Sequence, residues 1–308
     1  MERIVTDTIR LRDLDGGRIG SGRYIWRGPS TVPVFAIENS REIIVENVDV
    51  VCEEECASVF LVERTKSGPG VTPSTMHQFR NVRIFGNNGP VRGYWFRATI
   101  DENNEHGRWD ACSVYGCDGA AWIFEGQQSK EHLLTHCRAE SCANGIKADS
   151  SFQWVGGCVA ACDQAFMLTR VGDPVVIQGV GVEACRRVLV TDGPTTASQS
   201  VQLIGVRYEA DQLHPDGDAI LLRHAGVLSV LGGRYGGGKQ RVPRIALAGV
   251  GTQSVIVQGA TFGSYGAHRT CPVRVNPGVK PRVQWGLNTF QRAEGDAVNT
   301  HHQLSWSL

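Results

Sequence analysis

Apolar residues recur at alternate positions through short stretches that end on glycine. Val255 to Phe262 (VIVQGATF), Val201 to Tyr208 (VQLIGVRY) and Leu228 to Tyr235 (LSVLGGRY) share one frame: apolar, x, apolar, x, Gly, x, x, then apolar or aromatic. The frame also fits Ile43 to Val50, Val175 to Val182, Phe152 to Val159 and Val283 to Phe290. It fits Val82 to Gly89, Cys112 to Gly119 and His132 to Ala139 more loosely. A period of two predicts strands with one buried face. The fifth position, taken as a pivot, falls on Asn47, Gly86, Gly116, His136, Gly156, Gly179, Gly205, Gly232, Gly259 and Leu287. A fixed local pattern at variable spacing predicts one structural coil per copy, with loops of different length.

A second apolar run precedes most copies, as in Val34 to Ile37, Val59 to Val62, Ala121 to Phe124, Ala219 to Leu222 and Ile245 to Ala248. Short strands, glycine-rich corners and no helical periodicity predict an all-β fold: a right-handed parallel β-helix, a solenoid of about ten coils. One domain, 1–308, is expected, with an entry coil at 1–40, repeated coils at 41–290 and a closing or docking tail at 291–308. The alignment stacks Ile43, Val82, Cys112, His132, Phe152, Val175, Val201, Leu228, Val255 and Val283 in one inward column. A second holds Val45, Ile84, Val114, Leu134, Trp154, Ile177, Leu203, Val230, Val257 and Trp285. Tyr208, Tyr235, Phe262 and Phe290 form an aromatic ladder, and Cys142, Cys162 and Cys185 share a site expected to hold buried thiols. His132, the polar entry, is expected to be a hydrogen-bonded interior histidine.

Composition narrows the function. The 308 residues carry 31 Lys+Arg against 31 Asp+Glu, a formal net charge of zero. That balance argues against a dedicated nucleic-acid binder, whose phosphate contacts need a cationic surplus. No apolar run reaches the roughly 18 residues of a membrane span. The first residues are charged, with no secretory core, so synthesis in the cytosol is expected, or an extracellular place if a leader has been trimmed. The 37 Gly, against 7% aromatic residues and 3 Met, suit many tight turns. Ten cysteines are too dilute for a disulfide scaffold, and their spacing lacks the knuckles of a zinc site. No metal and no cofactor is expected.

The segments Glu38 to Val50 (ENSREIIVENVDV) and Phe79 to Gly86 (FRNVRIFG) carry a resemblance to the pectate-lyase-like superfamily of single-stranded right-handed β-helices. That group includes pectinases, polysaccharide epimerases and the tailspike and tail-associated proteins of bacteriophages. The resemblance covers roughly residues 33–290 and implies architecture rather than chemistry. The Asn-Thr-Asp, Asp-Asp, Gly-His-Gly and Arg-Ile-Lys motifs of polygalacturonases do not occur. Trp122 to Glu125 (WIFE) lacks the Asp and His of the comparable pectate-lyase segment.

The loops therefore carry the candidate chemistry. One set of neighbouring early loops offers Glu102, Glu105, His106 and Asp110, with Asp101 and His77 nearby. A later set offers Asp211, His214, Asp216 and Asp218, followed by Arg241, His268 and Arg269 on loops about 27 residues apart. Glycoside cleavage needs two carboxyl groups, one protonated, and either set supplies a pair. Acidic residues in such loops also serve as solvated turn formers. Trp95, Trp109, Tyr115 and Tyr265 are the candidate sugar platforms, joined as ligand contacts by Arg241, His268 and Arg269; Trp154 and Trp285 are assigned to the core.

These readings, with the resemblance, lead to a bacteriophage virion component, tail-associated and homotrimeric. It would assemble with other virion proteins and serve as a structural piece or an adhesin for host-surface polysaccharide. A polysaccharide lyase or glycoside hydrolase using the loop carboxylates is the alternative, and a capsid-surface decoration protein the second. The expectation leans away from an enzyme.

Overall fold

A computed structural model describes the chain except residues 67–72, 87–88, 90, 99–103, 127, 170–173, 193–198, 211–214, 224–225, 238–243, 250–253, 265–272, 280–281, 292–296, 299–303 and 308. The described residues form strands joined by turns, with no helix among them. The strands stack in parallel as a β-helix of the right-handed type, the architecture the alternating pattern predicts. The chain divides into two compact units, Met1–Gln153 and Trp154–Leu308.

In Met1–Gln153 each turn lays down strands on three faces. The first face carries Asp15–Ile19, the first halves of Arg41–Cys52 and Gln78–Phe85, then Arg108–Asp110 and His132–Thr135. The second carries Glu2–Val5, Gly22–Trp26, the second halves of the two long strands, then Ser113–Tyr115 and Arg138–Glu140. The third carries Ile9–Arg12, Phe35–Glu38, Phe60–Glu63, Tyr94–Arg97, Ala120–Glu125 and Asn144–Ala148. Inward residues of the third face form a stack of four rings: Phe35 on Phe60 at 4.8 Å, Phe60 on Tyr94 at 5.2 Å, Tyr94 on Trp122 at 5.5 Å, all near parallel. Like residues on successive turns thus bury their ring faces against one another, beyond what their area alone contributes.

The corner between the first two faces lies at Asn47, Asn81, Ala111 and His136, each left-handed, with φ of 53°, 49°, 51° and 52°. Two entries of the glycine-based alignment are therefore displaced. Gly86 and Gly116 stand at the following corner, beside Ser141, because Phe85 pairs with Tyr115 and Tyr115 with Glu140. Asparagine tolerates the left-handed region, and the amide of Asn81 donates to Oδ1 of Asn47 on the neighbouring turn at 2.9 Å. The displacement moves other residues with it. Val45, Phe79, Trp109 and Leu134 share the inward column of the first face, and Val82 and Cys112 belong to the second.

In Trp154–Leu308 the pivot follows the sequence pattern. Gly156, Gly179, Gly205, Gly232 and Gly259 all adopt φ between 61° and 67°. Backbone bonds link pivot N–H groups to the neighbouring turn, as from Gly205 to the Leu231 carbonyl at 2.8 Å. Only glycine takes this conformation without steric cost. The register also places Tyr208, Tyr235, Phe262 and Phe290 in one ladder. Trp154 is buried, whereas Trp285, in the last parallel strand of its face, is partly buried against Phe262 at 5.5 Å. Beyond residue 291 the parallel order ends: Ala297–Val298 and Leu304–Ser307 run antiparallel to Thr289–Gln291 and Arg282–Gly286.

The tyrosine ladder yields a paired prediction. The Tyr208 hydroxyl donates to the Cys185 carbonyl at 3.0 Å, whereas the Tyr235 hydroxyl is buried with no hydrogen-bond partner among the described residues. An unsatisfied buried hydroxyl costs on the order of 1–3 kcal/mol. Tyr235→Phe is expected to raise stability by about 1 kcal/mol, and Tyr208→Phe to lower it by about as much. Denaturant midpoints of the two variants, followed by tryptophan fluorescence, check the opposite signs.

The nine described cysteines are free thiols, and eight of them are buried. Cys52 and Cys56 lie with sulfurs 4.0 Å apart, and burial pushes the Cys137 thiol well up. They pack as small apolar side chains, as the cysteine column implies.

Candidate functional site

The later loop set resolves into an ion-pair cluster. Asp216 opens a tight turn before Asp218–Leu222, accepting from the Asp218 N–H at 3.0 Å. Its carboxylate also meets the buried guanidinium of Arg187. Asp218 is fully buried and takes a fork from Arg274, whose other arm donates to Asn276 at 2.6 Å. Its carboxylate holds the Arg274 guanidinium more firmly in its charged form. Burying a carboxylate is tolerated only when such donors surround it. Asp211, His214, Arg241, Tyr265, His268 and Arg269 lie outside the described residues.

The earlier set divides between two corners. Glu105 and His106 stand at the corner that opens the first face, where Glu42, Met76, His106 and Glu131 are all left-handed. His106 reaches Glu131 at 3.2 Å and Glu105 at 3.9 Å, and Lys130 approaches Glu105 at 3.8 Å. Asp110 stands at the opposite end of that face, accepting from Thr135 at 2.9 Å. Three strand residues at roughly 3.3 Å each separate the two corners. Glu105 and Asp110 are not brought together as a pair, and Glu102 and Asp101 lie outside the described residues. Among the described residues no group of three or more His, Cys, Asp or Glu is arranged to hold a metal ion.

His77 and His132 are interior residues with a shared design. Ser74 and His77, and Ser129 and His132, are buried three residues apart in the same positions of their turns. The Ile43 N–H donates to Nδ1 of His77 at 3.3 Å, and the Gly107 N–H to Nδ1 of His132 at 3.1 Å. With Nδ1 accepting, the neutral ring carries its hydrogen on Nε2, which faces Ser74 Oγ at 3.3 Å or Ser129 Oγ at 3.0 Å. Burial pushes both imidazoles down to about 3. Gly107 stands beside His132 because a Cβ there would lie 2.6 Å from Trp109 and 2.9 Å from His132.

The aromatic candidates are committed to neighbours. Trp109 is 1% exposed and stacked on Phe79 at 5.5 Å, which removes it from the surface platforms. The displaced corner is the reason: two residues before Ala111 is an inward position. Tyr115 is half-buried against Phe85 at 5.4 Å. Trp95 is half-buried on the outward side of the third face, and its indole N–H donates to Glu125 at 2.5 Å. The guanidiniums of Arg92 and Arg97 lie 4.1 and 4.9 Å from its ring centroid.

That face holds the functional candidates that pattern reading passes over. Glu38 and Glu63 occupy outward positions, yet they are 2% and 8% exposed, beneath Arg10 and Arg12 and beneath Arg97. An outward glutamate in a short strand reads as solvated. Only the arginines on turns more than 25 residues away show otherwise. Comparison of the sequence with family models finds no match, and comparison with curated proteins and with solved structures finds none either.

Proposed function

We propose that this β-helix is a structural and adhesive component of a bacteriophage particle, tail-associated and homotrimeric, that joins other virion proteins and offers its outer faces to host-surface polysaccharide. The observation that carries the reading is the condition of the carboxylates. Asp216 and Asp218, the pair best placed for acid/base work, are each engaged as acceptors of an arginine. They brace the turn that leads into Asp218–Leu222. The resemblance carried by Glu38 to Val50 and Phe79 to Gly86 supports the particle assignment.

The alternative is a polysaccharide lyase or hydrolase. It is tested by incubating the full chain with capsular and plant polysaccharides and following new reducing ends and the ultraviolet absorbance of unsaturated products. Retention of the polymers on immobilised protein without cleavage is the expected result. Cleavage that disappears in Asp216→Ala or Glu105→Ala would replace the adhesin reading with the enzymatic one. Light scattering after size exclusion is expected to give three chains per particle.

A further inference from the structure

We propose that the outward side of the third face in Met1–Gln153 binds an anionic polysaccharide through Arg10, Arg12, Arg92 and Arg97 around Trp95. The proposal rests on the adhesin reading and names the ligand class and its place.

The register sets two outward columns side by side. One holds Arg10, Ala36, Leu61, Trp95 and Ile123; the next holds Arg12, Glu38, Glu63, Arg97 and Glu125. The carboxylates of Glu38 and Glu63 form a lower layer and the guanidiniums an upper one, while Glu125 is exposed. Glu38 and Glu63 are buried, while the side chains of Arg10, Arg12 and Arg97 remain 52%, 50% and 46% exposed. Arg92 is fixed by the Ala57 carbonyl at 3.2 Å as well as by the Trp95 ring.

With Lys147, which continues the first column beyond Ile123, the four arginines outnumber Glu38, Glu63, Glu125 and Asp149 on this face, in a chain whose formal net charge is zero. A guanidinium bonded to one carboxylate still has N–H groups for a second anion, and its anchored geometry lowers the ordering cost of binding. Arg12 and Arg97 stand three turns apart, about 14 Å along the stacking direction. An extended polymer with repeated negative groups meets both. The partial neutralisation by Glu38 and Glu63 fits carboxylate or sulfate groups on a glycan better than a nucleic acid, whose densely charged backbone calls for a larger cationic surplus.

The test measures binding of the full chain to alginate, heparin, dextran and a single-stranded oligonucleotide, at low and raised salt. Alginate or heparin is expected to bind with an affinity that falls as salt rises. Alginate alone or heparin alone assigns the carboxylate or the sulfate as the recognised group. Arg92→Ala and Arg97→Ala are each expected to weaken binding about tenfold, the scale of a lost charge-assisted contact. Arg97→Lys, which keeps the charge without the fork, is expected to weaken it less. Arg207→Ala, in the other unit, is expected to leave it unchanged. Dextran bound as tightly as the anionic polymers would overturn this inference and leave the adhesin reading standing. Binding of none of the glycans would overturn both. Tighter binding of the oligonucleotide, or equal losses in Arg97→Ala and Arg207→Ala, would overturn the assignment to this face. Should Arg97→Ala fail to fold, Arg97→Lys and Trp95→Phe carry the comparison.

Discussion

Lowering the pH from 7 to about 4.5 is expected to remove about 5 kcal/mol of stability from the unit Met1–Gln153 through two side chains. His77 and His132 are held neutral in the fold, titrating at about 3 against an ordinary 6.5. Below 6.5 the unfolded chain binds two protons that the native unit does not, so stability falls as the pH falls. The contribution is fully present above 6.5 and is lost progressively down to about 3. At pH 4.5 each histidine lies about two units below its unfolded value, and at roughly 1.4 kcal/mol per unit the two together account for about 5 kcal/mol. The geometry agrees: a protonated imidazole would turn an N–H toward the N–H of Ile43 or Gly107, setting donor against donor. Urea unfolding of the full chain across this pH range checks the slope. His77→Asn with His132→Asn keeps an acceptor for those amides and cannot titrate, so a slope unchanged in the double variant would refute the account.

Phe60→Ala is expected to cost about 4 kcal/mol, within the usual range for deleting a buried phenylalanine. Phe60 lies at the middle of the ring stack, parallel to Phe35 and Tyr94 and edge-on to Phe79 at 5.3 Å. Its neighbours are fixed by strand register on both sides, so the space left by the ring has little freedom to collapse. Phe60→Leu, which fills most of that volume, is expected to lose less than half as much. Thermal unfolding followed by circular dichroism separates the two, and equal losses would show that the stack adds nothing beyond bulk.

The strand pattern was legible because alternation and left-handed corners leave separate marks, and from Gly156 to Gly259 both fall on the same residues. It misled where the corner is not glycine. Asn81 and Ala111 occupy left-handed positions held in place by flanking turns, so aligning on the nearby Gly86 and Gly116 moved Trp109 from the core to the surface. The candidate carboxylates show the same limit. Asp216 and Asp218 are visible as a cluster in the sequence, but their arginines come from Arg187–Thr191 and Val273–Val275. Glu38 and Glu63 gave no signal at all, because what buries them is contributed by other turns.

The recurrence of one pivot from Gly156 to Gly259 makes the residues between Gly205 and Gly232 an exchangeable module. Both of its boundaries present the same left-handed glycine, a like inward pair and the same tyrosine, so a duplicated copy meets surfaces like those it already fits. Such an insertion would lengthen this unit by one strand spacing, about 4.8 Å, and turn this stretch of chain into a ruler graduated in single turns.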